Sequence, residues 1–163
     1  MYWSIHQYPA FPGHGNADEI GTGDGTGFTI NVPLPPGSGD DIYADALKNT
    51  LPIAKEFNPD VVAVSAGFDS HQYDLLLQLR YTVDSFYETG KLLTENFNNV
   101  FATLEGGYNV EELPKCITNF TDGISDNPKI YSEASTESDI KIWMDYELRI
   151  DKLLSVLRPY WTT

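Results

Sequence analysis

The chain has 163 residues, 41% hydrophobic and 13% aromatic, a size and make-up that suit a folded domain with a real core and not a disordered segment. Its 24 acidic and 10 basic residues give a formal charge of −14. Phosphate neutralisation needs clustered Lys and Arg, so the balance argues against direct nucleic-acid binding; the acidic surface either serves solubility or matches a cationic small ligand or a lysine-bearing peptide. The single cysteine, Cys116, excludes an internal disulfide and suits a reducing compartment, here read as the cytoplasm. No apolar stretch approaches the length of a membrane span, and Met1–His6 lacks the basic-then-apolar pattern of a signal peptide.

In chain order, Tyr2–His6 reads as a strand, and Gln7 to Gly13 reads as a constrained loop in which Pro9 and Pro12 hold Phe11 in place. An aromatic so held is either a pocket wall or a lid on the core. Residues 13–27 form a glycine-rich connection whose alternating Gly21, Gly23, Gly25 and Gly27 superficially suggest a phosphate loop. That reading fails, because the run leads into another strand, Phe28–Val32, and not into a helix. After the rigid turn 33–39, a helix is predicted over Asp40–Phe57. Its apolar stripe is Ile42, Ala46, Leu47, Ile53 and Ala54, and Pro52 should kink or break it.

The run Asp60–Ala66 is a short β-branched segment that predicts a strand buried on both faces. It turns abruptly polar at Gly67-Phe68-Asp69-Ser70-His71. A second helix is expected from Thr82 or Asp84 to Asn96, with Val83, Phe86, Tyr87 and Leu93 inward, followed by a strand at Val100–Leu104 that runs into Glu105-Gly106-Gly107-Tyr108-Asn109. A third helix is predicted from Val110 to Gly123, placing Leu113, Ile117 and Phe120 inward. Strands and helices alternating at these lengths imply crossovers and a mainly parallel sheet, the α/β class. Residues 125–138 read as a polar surface linker. Asp139–Leu157 reads as one amphipathic helix with Ile140, Trp143, Ile150, Leu153, Leu154 and Leu157 on one side, packing on the body or pairing with a second copy.

Ligand sites in open α/β sheets lie beyond the carboxyl ends of strands, so Asp69 and Tyr108 are candidates for one cleft. Asp69 and His71 could bind a divalent metal or form a hydrogen-bonded loop pair. Two residues do not make a catalytic zinc site, which takes three protein ligands plus water, and the chain has only three histidines, His6, His14 and His71. Asp74 adds a further carboxylate without decisive geometry. Tyr108 could donate its hydroxyl to a developing oxyanion or merely close a strand-to-helix turn. Cys116, mid-helix, reads as packing, and no Gly-x-Ser-x-Gly elbow is present.

Six blocks resemble the zinc-dependent histone deacetylase and acetylpolyamine amidohydrolase superfamily in the family's own order. They are Ser4-Ile5-His6-Gln7-Tyr8-Pro9, Phe11-Pro12-Gly13, Asp18-Glu19-Ile20-Gly21, the run from Gly27 to Gly37, Ser65-Ala66-Gly67-Phe68-Asp69, and Leu104-Glu105-Gly106-Gly107-Tyr108-Asn109. The resemblance implies a three-layer α/β/α fold of the arginase/deacetylase type, incomplete here, with residues 1–124 corresponding to the C-terminal half of a catalytic domain. It implies Asp69 as one of three zinc ligands and Tyr108 as the group that polarises the acetyl carbonyl. Phe11, Gly106 and Gly107 would be walls of the tunnel for the acyl-lysine stem, and Ser4 and Ile5 would be contacts to a structural potassium ion. The family's other two zinc ligands and its paired histidines have no counterpart in these residues, which implies a complementing N-terminal half or second polypeptide, or else a non-catalytic remnant acting as a binding module. The implied substrates are acetyl-lysine peptides or acetylpolyamines. The loop after Asp69 departs from the family pattern: Tyr73 stands where glycine is common, and Leu75-Leu76-Leu77-Gln78 replaces Pro-x-Gly-Gly.

Overall fold

The computed structural model describes residues 1–163 and contains four strands and four α-helices. They are β1 (Tyr2–Gln7), β2 (Thr29–Leu34), α1 (Asp40–Phe57), β3 (Val62–Ala66), α2 (Val83–Asn96), β4 (Val100–Leu104), α3 (Leu113–Ile124) and α4 (Ile140–Leu157). The residues fall into two compact units, one made of 1–58 with 137–163 and the other of 59–136.

In the first unit β1 and β2 are parallel neighbours in the register Tyr2↔Thr29 to Gln7↔Leu34. From Ile30 onward β2 is buried on both faces, with Ile30, Val32 and Leu34 essentially inaccessible. Helix α4 lies against β2 and seals Ile150, Leu153 and Leu157 there. Each such side chain contributes roughly 1.5–3 kcal/mol by leaving water. Two aspartates of α1 fasten α4: Trp143 Nε1 donates to Asp41 Oδ2 at 2.9 Å and the Tyr146 hydroxyl to Asp45 Oδ2 at 2.8 Å. The predicted α4 stripe needs correction at its start, because Ile140 is 73% exposed and the buried position is Tyr146. Helix α1 runs unbroken through Pro52, whose ring lies on the exposed side, and ends on Asn58 in the left-handed region.

In the second unit β3 and β4 are parallel, Val62↔Val100 to Ala66↔Leu104, joined by the crossover helix α2. The expectation that β3 is buried on both faces is overturned: Ala63 and Ser65 are exposed, while Val62 and Val64 are half-buried. β4 is the only strand hydrogen-bonded to β3, and with one face open the burial takes period two. Helices α2 and α3 cross closely because each offers a glycine. A Cβ on Gly90 would meet the Phe120 carbonyl oxygen at 2.4 Å, and one on Gly123 would meet that of Tyr87 at 2.2 Å. Helix α3 begins three residues later than predicted, at Leu113, since Asn109 takes the turn before it. Its Oδ1 accepts from the N–H groups of Glu111 and Glu112 at 3.0 and 3.3 Å, leaving Val110 in solvent.

Residues 125–138 are irregular but bonded at several points to α2 and α3. Asn119 brackets Tyr131 through both its N–H and its carbonyl. Asp84 collects Lys129, the Ser132 hydroxyl and the Glu133 N–H.

Candidate active site

The two strand ends of the second unit continue side by side past their last ladder residues. Glu105 N–H donates to the Ala66 carbonyl at 3.0 Å and Phe68 N–H to the Gly106 carbonyl at 3.0 Å. Phe68 turns inward against Phe86 and Phe120, with ring centroids 5.1 and 5.9 Å apart, and so anchors the bend. The next residue, Asp69, is thereby held over the Gly106 backbone. A Cβ placed on Gly106 would lie 3.1 Å from the Asp69 carboxyl carbon and both its oxygens. No side chain pairs with this carboxylate. Burial pushes its pKa up against the lowering effect of its own backbone N–H, and the nearby charge of Asp74 adds to the rise. A half-buried carboxylate with no cation is the kind of group that a bound metal or a substrate proton would satisfy.

Tyr108 follows two glycines at the second strand end. Its side chain is 53% exposed and its hydroxyl has no protein partner, so it is free to donate to a ligand. What holds it is its main chain. Asp74 Oδ2 accepts from Tyr108 N–H at 2.6 Å and from Asn109 N–H at 2.9 Å, while Asn109 Nδ2 donates to the Tyr73 carbonyl at 2.7 Å. Gly107 sits at φ +125°, which favours glycine, with Leu113 and Phe68 directly behind it. The Asp74 contacts were not legible in the sequence, where Asp74 was only one more carboxylate.

His71 forms neither the metal pair nor the hydrogen-bonded loop pair with Asp69 that the sequence suggests, because its ring is taken by Glu133. It is 1% exposed, and its Nε2 lies 3.0 Å from Glu133 Oε2, an oxygen that also accepts from Val83 N–H at 2.8 Å. Ligand atoms of His71, Glu133 and Glu112 lie within 4.8 Å of one another. The group is already satisfied from within, since both Glu112 oxygens accept from Lys115 Nζ at 2.9 and 2.8 Å. Cys116 is fully buried, and burial, reinforced by the charges of Glu133 and Glu112, pushes its thiol up to about 12. It is a packing residue.

The remaining predicted site residues belong to the first unit. Phe11 is 99% exposed, which removes the alternative of a lid on the core. Ser4 Oγ lies 2.8 Å from His6 Nδ1, and His6 Nε2 lies 2.9 Å from the Gly15 carbonyl; burial lowers the His6 pKa against the opposing effects of Gly15 and Glu19. Ile5 pairs with Val32 in the β1–β2 ladder.

The Histone deacetylase domain family matches residues 1–124. The chain belongs to that family. A probable deacetylase of Archaeoglobus fulgidus is 39% identical over 117 residues, covering 68% of this chain and 33% of that protein. An acetylpolyamine amidohydrolase of Burkholderia pseudomallei is 33% identical over 128 residues, 76% of this chain and 37% of that one. The solved histone deacetylase Clr3 superposes on 99% of this chain and 28% of its own, with a TM-score of 0.87 and 29% identity. The chain thus spans about a third of the length of the curated relatives it matches.

For this family the implied zinc can be tested against the donors present. Asp69 fits as one ligand, being a half-buried, unpaired oxygen donor of the right chemistry. The His71, Glu133 and Glu112 group does not fit, because an ion there would have to displace Lys115 and a helix N–H. For potassium, the one side-chain oxygen is that of Ser4, already joined to His6.

Proposed function

We propose that this chain carries part of the catalytic site of a metal-dependent deacetylase that hydrolyses acetamides on lysine side chains or polyamines. The observation that carries the reading is the pairing, at two adjacent strand ends, of an unpartnered half-buried carboxylate, Asp69, with an unpartnered phenol, Tyr108. A zinc ion bound with Asp69 as one ligand would supply an acidified water and a polarised acyl carbonyl. Tyr108 donates a hydrogen bond to the carbonyl oxygen as it gains charge. Gly106 and Gly107 leave room for the acyl group beside Asp69, and Phe11 is assigned to the wall for the substrate's methylene stem on the resemblance alone. Ser4 and Ile5 are assigned to a structural potassium site on the resemblance alone. The net charge of −14 favours cationic substrates, and the free thiol of Cys116 suits the cytoplasm. No helix is long and apolar enough to cross a membrane.

The other metal ligands and the general base come from polypeptide outside these residues, as a complementing N-terminal half or a second chain. Support for this comes from the histidines: His6 is joined to Ser4 and Gly15, His14 is paired with Glu19, and His71 is bonded to Glu133. The same observation favours a second reading, a non-catalytic domain that binds acetylated ligands without turning them over. Acetate release by the zinc-loaded full gene product from an acetyl-lysine peptide and from an acetylated polyamine separates the two. Turnover of either supports the first reading, and binding without acetate from both sinks it.

A further inference from the structure

We propose that Asp74 is a positioning residue, whose carboxylate sets the place of Tyr108 by holding the backbone of the Gly-Gly-Tyr-Asn turn. This rests on the deacetylase reading of Tyr108. Tyr108 follows Gly106 and Gly107, the residues least able to fix a backbone by themselves, and its hydroxyl has no protein partner. Its place therefore depends on what grips its main chain. That grip is one oxygen of Asp74, receiving the N–H groups of Tyr108 at 2.6 Å and Asn109 at 2.9 Å. Hydrogen bonds to an ionised acceptor are shorter and stronger than neutral ones. The other oxygen, Oδ1, accepts from Leu76 N–H at 3.1 Å and fixes Asp74 in its own loop. Asn109 closes the clamp by donating to the Tyr73 carbonyl at 2.7 Å while capping the turn into α3. Asp74 has no lysine or arginine partner, so its charge is met by main-chain N–H groups, an arrangement that a neutral amide cannot reproduce in full. A displacement of about 1 Å at a reacting group can cost about 100-fold in rate.

The test uses the zinc-loaded full gene product and the variants Asp74→Asn, Asp74→Glu, Tyr108→Phe and Asp74→Asn with Tyr108→Phe. Asp74→Asn is expected to lower kcat about 10- to 100-fold with KM and zinc content unchanged, and Asp74→Glu, which keeps the charge, to recover part of that loss. Because Asp74 acts through Tyr108, Asp74→Asn should cost nothing further in the Tyr108→Phe background, whereas a merely structural role would multiply the two losses. Amide hydrogen exchange supplies a readout independent of activity: the N–H groups of Tyr108 and Asn109 should lose protection in Asp74→Asn. Unchanged protection, or fully multiplicative losses, overturns the proposal. If Asp74→Asn does not fold, the same exchange and kinetic comparison is made with Asp74→Glu against wild type. If the wild-type protein releases no acetate, the deacetylase reading fails, and the exchange result still decides whether Asp74 holds the turn.

Discussion

Replacing Gly107 by alanine tests how tightly the turn before Tyr108 is built. At φ +125° an alanine is strained, which costs about 1–3 kcal/mol. Its Cβ would also lie 2.6 Å from Leu113 Cδ1 and 3.1 Å from Phe68 Cβ. The leucine end can swing, but Phe68 is 4% exposed and wedged between two rings, so overpacking adds about 1–3 kcal/mol. The lower entropy of the unfolded alanine chain returns about 0.4–1 kcal/mol. The net loss is centred near 3 kcal/mol, and at about 2–4 °C per kcal/mol for a chain of this size the melting temperature should fall by roughly 6–12 °C. Gly13→Ala is the control, since it shares a positive φ of +88° but its Cβ would meet nothing within 4 Å. Thermal melts followed by far-UV circular dichroism give both values. If Gly107→Ala melts no lower than Gly13→Ala, Phe68 and Leu113 do not confine the turn, and the packing argument fails.

Gly106→Ala, where φ is unremarkable, should leave the melting temperature within a few degrees but push the Asp69 carboxylate aside, so that bound zinc per molecule of full gene product drops. Undiminished metal would remove the contact from the account. Asp84 is raised by burial but held below the usual carboxylate range by Lys129, Glu133 N–H and Ser132. A depressed folded-state pKa means stability present above the unfolded value of about 3.9 and lost as pH falls below it. Asp84→Asn should therefore flatten the acid limb of the stability curve below about pH 4, and a limb as steep as wild type contradicts the assignment. Cys116, with its thiol near 12, should resist iodoacetamide in the native state at pH 8 and react once unfolded. Native-state alkylation at the rate of a free thiol would refute its burial.

Much of the fold was legible because its signals are local. The apolar period of Asp40–Phe57 and the cap-like Thr82 before Val83–Asn96 place α1 and α2 to within a residue. The misses arise where tertiary partners decide. β-branched composition suggested that β3 is covered on both sides, yet coverage depends on neighbouring strands and layers that composition does not reveal. Val110 looked helical until Asn109 Oδ1 took the N–H groups that would start the helix. Gly90 and Gly123 carry the close crossing of α2 and α3 although nothing in their local pattern marks them. At the site, Asp69 and Tyr108 stood out because each ends an apolar run beside glycine. Asp74 did not, because its partners are backbone groups more than thirty residues away, and main-chain donors leave no signature in residue type. His71 is a metal-ligand candidate by residue type, and its partner, Glu133, lies in a polar stretch whose composition is that of a linker.

On the proposed deacetylase function, Tyr108 stabilises the oxyanion of acetamide hydrolysis. The most direct measurement is kcat of Tyr108→Phe in the zinc-loaded full gene product, with acetate as the product followed and metal content measured alongside. Losing one oxyanion donor costs about 3 kcal/mol, so kcat should fall on the order of 100-fold while zinc stays bound. A variant that releases acetate as fast as wild type would contradict the account.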